Sequence, residues 1–119
     1  MGEAIPPALQ EEIARIQQIQ QTLQAVSLQR QQLELELMGI DRAVSELDRL
    51  TDDAVVYKSV GSLLIRSTRQ TLLQELRERK ELLNTRVATL TRQEERARER
   101  LKDSQQRLQE KLRLSNIAP

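Results

Sequence analysis

The chain has 119 residues, a formal net charge of +1 and neither Cys nor His. The absence of both residue types removes disulfides, thiol nucleophiles, the common zinc sites and the usual general base, so an enzyme is the function class that we expect least. Charged residues make up 31% of the chain and aromatic residues 1%, a composition typical of long helices rather than of a compact globule with a large core.

No segment of the sequence has the features of a secretion signal or a membrane anchor. Residues 1–7 contain neither a basic region nor an apolar run. No apolar run elsewhere approaches the roughly 18 residues of a membrane-spanning helix. We therefore expect a cytoplasmic protein without membrane contact. A phosphate-binding loop is also missing from the sequence, so no cofactor is expected.

The first part of the chain carries a coiled-coil pattern. Pro6 and Pro7 suit a helix entrance, because the first helical turn does not need their missing N–H groups. Apolar residues then recur at steps of three and four over more than five heptads, which predicts a helix over about 7–50. The stripe consists of Leu9, Ile13, Ile16, Ile19, Leu23, Val26, Leu33, Leu37, Ile40, Val44 and Leu47, with Arg30 in its one vacant position. Two consecutive steps of three, from Ile13 to Ile19, predict a stammer that overwinds the coil locally.

A second stripe predicts a helix over about 68–113, followed by a frayed tail at 114–119. Ser67 and Gln70 have the spacing of a capping box at its start. The apolar members of the stripe are Leu73, Leu76, Leu83, Val87, Leu90, Ala97, Leu101 and Leu108. Lys80, Glu94, Ser104 and Lys111 occupy positions in the same register. These polar residues either loosen the seam between the helices or fix its register, and the sequence leaves both readings open.

The length and charge of the two helices predict that they pair with each other. Two helices of similar length joined by a short connector are typical of an antiparallel coiled-coil hairpin. Residues 1–53 have a net charge of −6 and residues 67–119 a net charge of +5. Opposite charge favours pairing between the two arms over self-association of either arm. The predicted fold class is therefore mainly α, a long antiparallel two-helix coiled coil joined by a single β-hairpin.

The connector, over about 54–67, is the only run whose composition favours strands. Gly61-Ser62 has the residue order of a type II′ hairpin turn, since the first central residue needs a positive φ. That turn would place Val60 opposite Leu63, Lys58 opposite Ile65 and Val56 opposite Ser67. A turn centred on Val60-Gly61 is the rival, and it would shift the register by one residue.

In neither register does the hairpin have one apolar face and one polar face. Val56, Val60, Leu63 and Ile65 fall on one face; Val55, Tyr57 and Leu64 fall on the other. A lone two-stranded hairpin is marginal in water, and its edges are unpaired. We therefore expect it to need partner strands. The alternative is a hairpin that folds back on its own helices.

Two long helices around one such hairpin closely resemble the beta subunit of archaeal prefoldin. The resemblance extends over nearly the whole chain. It is most specific at Asp52 to Lys58, at Gly61 to Arg66, and at Arg92-Gln93-Glu94-Glu95-Arg96 in the second arm. A single hairpin and this length look like the beta type, because alpha subunits of the family have two hairpins and longer chains.

The resemblance implies a hexamer of two alpha and four beta subunits, in which the hairpins build an intersubunit double β-barrel and the coiled coils hang from it. It implies capture of unfolded proteins at the ends of the coiled coils and delivery to a group II chaperonin, without nucleotide. The residues that we expect to serve subunit assembly are Val55, Val56, Tyr57, Val60, Gly61, Leu63, Leu64 and Ile65.

Client capture is expected from apolar residues that lose their partners where the coil frays, because helix ends are poorly tied down. These residues are Ile5, Leu9, Ile13 and Ile16 on the first arm and Leu108, Leu112, Leu114 and Ile117 on the second. Alternatively, Leu9, Ile13, Leu108 and Leu112 simply close the coil. The helix pattern does not need Ile5 or Ile117, which are therefore the better client candidates.

Two other function classes fit the pattern. One is a structural coiled-coil scaffold or spacer, which would form no defined hexamer with a second subunit. The other is a nucleic-acid clamp built on the basic second arm. Acidic residues interleave with the Arg residues of that arm, and no aromatic side chains are available there to stack on bases. We therefore expect no nucleic-acid partner.

Overall fold

A computed structural model describes residues 5–115 of the chain. Its elements are helix α1 (Pro7–Asp48), strand β1 (Val56–Val60), strand β2 (Leu63–Ser67) and helix α2 (Arg69–Leu114). The predicted fold class of two long helices around one hairpin is confirmed. The chain forms two compact units, each of which contains a segment of both helices. In the described part of the chain, the terminal unit comprises residues 5–30 and 89–115, and the hairpin unit comprises Gln31–Ala88.

Ion pairs across the two helices show that they run antiparallel in the hairpin unit. The acid of each pair lies on α1 and the base on α2: Glu36 with Arg79 (2.9 Å), Asp41 with Lys80 (2.6 Å) and Asp48 with Arg69 (3.6 Å). The pair nearest the hairpin joins the end of α1 to the start of α2, and the two pairs farther from it join earlier residues of α1 to later residues of α2. This arrangement agrees with the opposite net charges of the two arms.

The seam of α1 differs from the predicted one at a single position. Glu12 is fully buried, whereas Ile13 is half-buried. With Glu12 in the seam, the steps from Leu9 to Leu47 alternate three and four without interruption. The predicted stammer is therefore wrong, because the heptad continues through a buried carboxylate instead of shifting to the neighbouring isoleucine.

The seam of α2 follows the predicted stripe, since all its apolar and polar members are buried or half-buried. The start of the helix differs from the prediction. Thr68, and not Ser67, provides the cap: its Oγ1 accepts a hydrogen bond of 3.1 Å from the backbone N–H of Thr71. A hydroxyl in this position satisfies one of the donors that have no partner within the first helical turn.

The hairpin has the register that a Gly61-Ser62 turn predicts, and not the rival register. Val60 pairs with Leu63, Lys58 with Ile65 and Val56 with Ser67. Gly61 has a φ of +59°, the left-handed conformation that a side chain would disfavour and that this turn requires at its first central residue.

A small apolar core ties the base of the hairpin to the helices of the hairpin unit. Val56 of β1 is buried against Leu47 of α1 and Leu73 of α2, and Val44, Leu72 and Leu76 pack around them. Arg69 adds polar contacts at the same place: its Nε donates to the carbonyl oxygen of Leu47 (2.6 Å) and its Nη1 to Asp52 (2.9 Å).

Candidate functional site

The hairpin presents an exposed apolar surface. Most of the residues predicted for subunit assembly are between 46% and 73% exposed. We use the name hairpin surface for these residues: Val55, Tyr57, Val60, Leu63, Leu64 and Ile65. Val56 is the exception, because its side chain is already used in the core of the hairpin unit. Gly61 contributes the turn, and a Cβ there would meet no atom within 4 Å.

The hairpin surface has two sides. The strand register puts Val60, Leu63 and Ile65 on one face and Tyr57 and Leu64 on the other. The base of the hairpin borders a groove of about 440 Å³ that Val55 and Tyr57 line together with side chains of both helices. Lys58 donates to Glu75 of α2 (2.8 Å), which ties β1 to that helix. Because apolar side chains are exposed on both faces, one packed layer would cover only half of this surface.

The residues predicted for client capture do not share one environment. Leu9 is 2% exposed, and Ile13, Ile16, Leu108 and Leu112 are half-buried within the terminal unit. Ile5 and Leu114 are 50% and 76% exposed. Ile117 lies outside the described residues. The described part of this set thus contains two freely accessible side chains and five that the paired helices cover at least in part.

A buried carboxylate lies among the covered residues. Glu12 accepts hydrogen bonds from Arg15 Nη1 (2.9 Å) on its own helix and from Arg107 Nε and Lys111 Nζ (both 3.2 Å) on α2. Arg107 also donates to the hydroxyl of Ser104 (3.1 Å), which is fully buried. We call these five residues the Glu12 cluster. It joins the beginning of α1 to the last turns of α2.

Burial and hydrogen bonding act on the pKa of Glu12 in opposite directions. Loss of hydration works to raise it, because the charged form is disfavoured away from water. Hydrogen bonds from Lys111, Arg15, Arg107 and Ser104 together outweigh this effect and lower the pKa from 4.5 to about 2. Glu12 is therefore ionised at neutral pH and compensated by three cations.

A second buried carboxylate, Glu94 of α2, lies in the same unit and is 2% exposed. It accepts hydrogen bonds from Arg30 Nε, from Ser27 Oγ (2.9 Å) and from Arg98 Nη2 (3.1 Å). The hydrogen bond from Arg30 is the main reason why the pKa of Glu94 is lowered; burial works against it. We call these four residues the Glu94 cluster. Arg30 thus occupies the one position of the apolar stripe that lacks an apolar residue, and it pairs there with Glu94 across the seam.

The two clusters show whether the polar seam residues loosen the seam or fix its register. Within residues 5–115, no buried side-chain nitrogen or oxygen lacks a hydrogen-bond partner. A shift of one helix by a heptad would separate each buried carboxylate from its partners on the opposite helix, which is costly in a seam. Both clusters therefore fix the register of the terminal unit. The signal for Glu12 was its place between Leu9 and Ile16 in the alternation of three and four.

Neither a membrane-spanning helix nor a metal-holding group of acidic side chains occurs among the described residues. Over residues 5–115, no helix combines the length and the apolarity that crossing a membrane requires. The acidic side chains in this range form no group of three or more that could hold a metal ion. Accessible apolar side chains in this range include those of the hairpin surface and, at the end of the terminal unit, Ile5 and Leu114.

Comparison with known proteins identifies relatives that cover most of the chain. The family model described as "Prefoldin subunit" matches residues 10–114. The chain is 50% identical over 97 residues to the prefoldin subunit beta of Pyrobaculum arsenaticum, which covers 82% of this chain and 78% of that protein. It is 45% identical over 109 residues to the prefoldin subunit beta of Archaeoglobus fulgidus, with 92% and 93% covered.

A solved structure is similar over a comparable range. The crystal structure of the prefoldin beta subunit from Thermococcus strain KS-1 superposes with a TM-score of 0.84 at 39% identity, covering 94% of this chain and 98% of that one. The prefoldin beta2 subunit from the same strain has a TM-score of 0.70 at 22% identity, which shows a shared fold.

Proposed function

Because this chain belongs to the prefoldin subunit family, among the archaeal beta subunits, we propose that it is a subunit of an ATP-independent cytoplasmic chaperone. Membership in the family implies a chaperone role. The finer proposal is a hexamer of two alpha and four beta subunits that captures unfolded proteins at the ends of its coiled coils and delivers them to a group II chaperonin.

The hairpin surface is the observation that carries the assembly part of the proposal. Five apolar side chains on the two strands, and Val55 just before β1, are exposed in the single chain. Within residues 5–115 the outer edges of both strands pair with no further strand. Burial of apolar surface and addition of strands would both stabilise a hairpin that is marginal alone. Hairpins of neighbouring subunits, packed as a β-barrel, would provide both.

The end of the terminal unit supports the capture part. Ile5 and Leu114 are exposed there, and Leu9, Leu108 and Leu112 lie close behind them in sequence. Exposed apolar groups such as Ile5 and Leu114 can regroup around clients of different shape, because chain ends are poorly tied down. The residues proposed for capture are the eight predicted from the sequence.

Reconstitution tests the proposal. The chain is mixed with an alpha subunit from the same source, and the mass of the complex is measured by native mass spectrometry. The complex is then assayed for suppression of the aggregation of a chemically unfolded model protein, and for transfer of that protein to a group II chaperonin. A complex of defined mass that protects the client is expected. A structural spacer would give no such complex, and failure to protect the client would contradict the chaperone role.

A further inference from the structure

The seam of the terminal unit contains many polar residues. They are Glu12 and Arg30 on α1 and Glu94, Ser104 and Lys111 on α2. The seam of the hairpin unit contains Lys80 as its polar member and is otherwise apolar. A polar residue in a coiled-coil seam fixes register at a cost in stability. Hydrophobic packing between the helices is therefore weaker in the terminal unit than in the hairpin unit.

Glu12 is the polar seam residue nearest to the beginning of α1, where opening of a helix pair starts most easily. It lies between Leu9 and Ile16 in the seam, a position that an apolar side chain would ordinarily fill. Leu9, Ile13, Ile16, Leu108 and Leu112 are the proposed capture residues that the closed coil covers. An access step is thus needed before a client can contact the covered parts of these five side chains.

We propose that Glu12 sets how readily the ends of α1 and α2 separate, and that this separation uncovers Leu9, Ile13, Ile16, Leu108 and Leu112 for unfolded clients. The inference rests on the proposed chaperone function. In this view Glu12 does not touch the client. It positions the side chains that do, by keeping the closed arrangement less stable than an apolar seam would make it.

The exposure of the Glu12 cluster supports this role. Glu12 is fully buried, whereas the side chains of Arg15, Arg107 and Lys111 are 51%, 52% and 35% exposed. Opening the coil returns the carboxylate to water, and its regained hydration offsets much of the lost attraction to the cations. A leucine at this position would lose its burial on opening without any comparable compensation. The closed state is therefore easier to leave with Glu12 than with an apolar residue.

Two substitutions of Glu12 should shift the opening in opposite directions. Glu12→Leu removes the buried charge and completes the apolar seam, while the three cations are exposed enough to reach water. Glu12→Gln keeps the shape but leaves the cations without a counter-charge, which destabilises the closed state. Lys80→Leu is the matched control. It also replaces a polar seam residue with leucine, in the hairpin unit, and its partner Asp41 is 57% exposed.

Amide hydrogen exchange of the reconstituted hexamer measures the opening directly. In segments 8–16 and 104–112, exchange should slow by about tenfold in Glu12→Leu and accelerate by a similar factor in Glu12→Gln, which corresponds to about 1.4 kcal/mol in either direction. Suppression of client aggregation should fall in Glu12→Leu and be retained or increased in Glu12→Gln. Lys80→Leu should change neither quantity.

Each contrary result is decisive. If Glu12→Leu does not slow exchange at these segments, Glu12 does not control the opening. If it slows exchange but leaves capture unchanged, or if Lys80→Leu reduces capture equally, separation of the ends is not the access step. Failure of the unmodified hexamer to capture any client would overturn the proposed function itself, and the exchange series would then still decide whether Glu12 controls the opening.

Discussion

Arg30 of α1 and Glu94 of α2 form an ion pair in which the base lies on α1 and the acid on α2. The ion pairs of the hairpin unit have the opposite arrangement, with the acid on α1: Glu36 with Arg79 and Asp41 with Lys80. The pair is also much less exposed: the Arg30 side chain is 22% and the Glu94 side chain 2% exposed. A shielded pair that opposes the overall charge of its two arms acts on register more than on the general attraction between the arms.

Removal of one partner of this pair should destabilise the protein. In Arg30→Ala, Glu94 stays buried with weaker compensation from Ser27 and Arg98, and the free energy of unfolding should fall by about 2 kcal/mol. The double variant Arg30→Leu with Glu94→Leu should be close to the unmodified protein, because no buried charge remains. Urea titrations at one fixed protein concentration measure both free energies of unfolding.

Arg79→Ala is the control for an exposed ion pair, and it should lower the free energy of unfolding by less than about 1 kcal/mol. Equal losses for Arg30→Ala and Arg79→Ala would contradict a special role for Arg30.

Charge on the hairpin surface should prevent assembly. In the double variant Leu64→Asp with Ile65→Asp, each face of the hairpin carries a carboxylate that burial in a barrel would have to desolvate, at a cost of several kcal/mol. The helices should remain folded by circular dichroism, while native mass spectrometry with the alpha subunit shows no hexamer. Leu35→Asp, at a position on α1 that is 67% exposed, is the control and should assemble normally. A hexamer formed by the double variant would remove the hairpin from the assembly proposal.

Leu64 and Ile65 are exposed in the single chain, whereas Val56 on the same hairpin is buried. Composition and the Gly61-Ser62 turn are local features, and they predicted the hairpin and its register. The burial of Val56 is a tertiary property, because Leu47 and Leu73 come from two other elements. A charge at Val56 would disrupt the core of the hairpin unit and would not isolate the effect on assembly.

The difference between local and tertiary features also explains why the apolar pattern does not predict the burial of Glu12. A stripe defined by apolar residues alone places Ile13 in the seam and predicts a stammer, whereas the structure places Glu12 there. Two of the three cations that compensate the buried charge of Glu12, Arg107 and Lys111, lie 95 and 99 residues away in sequence. The cap at Thr68 instead of Ser67 is a local shift of one residue, since both hydroxyls are chemically able to cap the helix.

Acid should weaken the terminal unit through Glu12. Its pKa is lowered from 4.5 to about 2 in the folded chain, so the unfolded chain binds more protons between these values. Its stabilising contribution is therefore present above about pH 4.5 and is lost as the pH falls toward 2. Unfolding midpoints of the unmodified protein and of Glu12→Gln should differ at pH 7 and converge toward pH 2. A constant difference over this range would show that Glu12 does not titrate with a lowered pKa.

Removal of the two chain ends should reduce capture without affecting assembly. A variant lacking residues 1–8 and 113–119 loses Ile5, Leu114 and Ile117 but keeps the hairpin surface and both buried clusters. We expect an intact hexamer, by mass, that suppresses client aggregation less well, because exposed apolar area has been removed. Ile5→Ser with Leu114→Ser, in the full chain, separates loss of apolar area from loss of length. Full protection by both variants would exclude Ile5, Leu114 and Ile117 from the capture surface.

Affinity for clients should depend on the number of coiled coils and hardly at all on salt or nucleotide. The favourable contribution is apolar area leaving water, about 25 cal/mol per Å², so contact with one small cluster of side chains is weak. Several coiled coils that hold one client simultaneously raise the affinity through effective concentration. The unassembled chain should therefore bind an unfolded apolar client far more weakly than the hexamer does.

A titration of that client at low and moderate salt, with and without ATP and magnesium, checks this on both forms. Neither salt nor ATP should change the affinity by much, since no ion release or phosphate chemistry enters the binding step. A nucleic-acid clamp tested with duplex DNA over the same range of salt would lose affinity by orders of magnitude. An ATP requirement, a steep dependence on salt, or equal affinity of the single chain and the hexamer would each contradict capture by several apolar ends acting together.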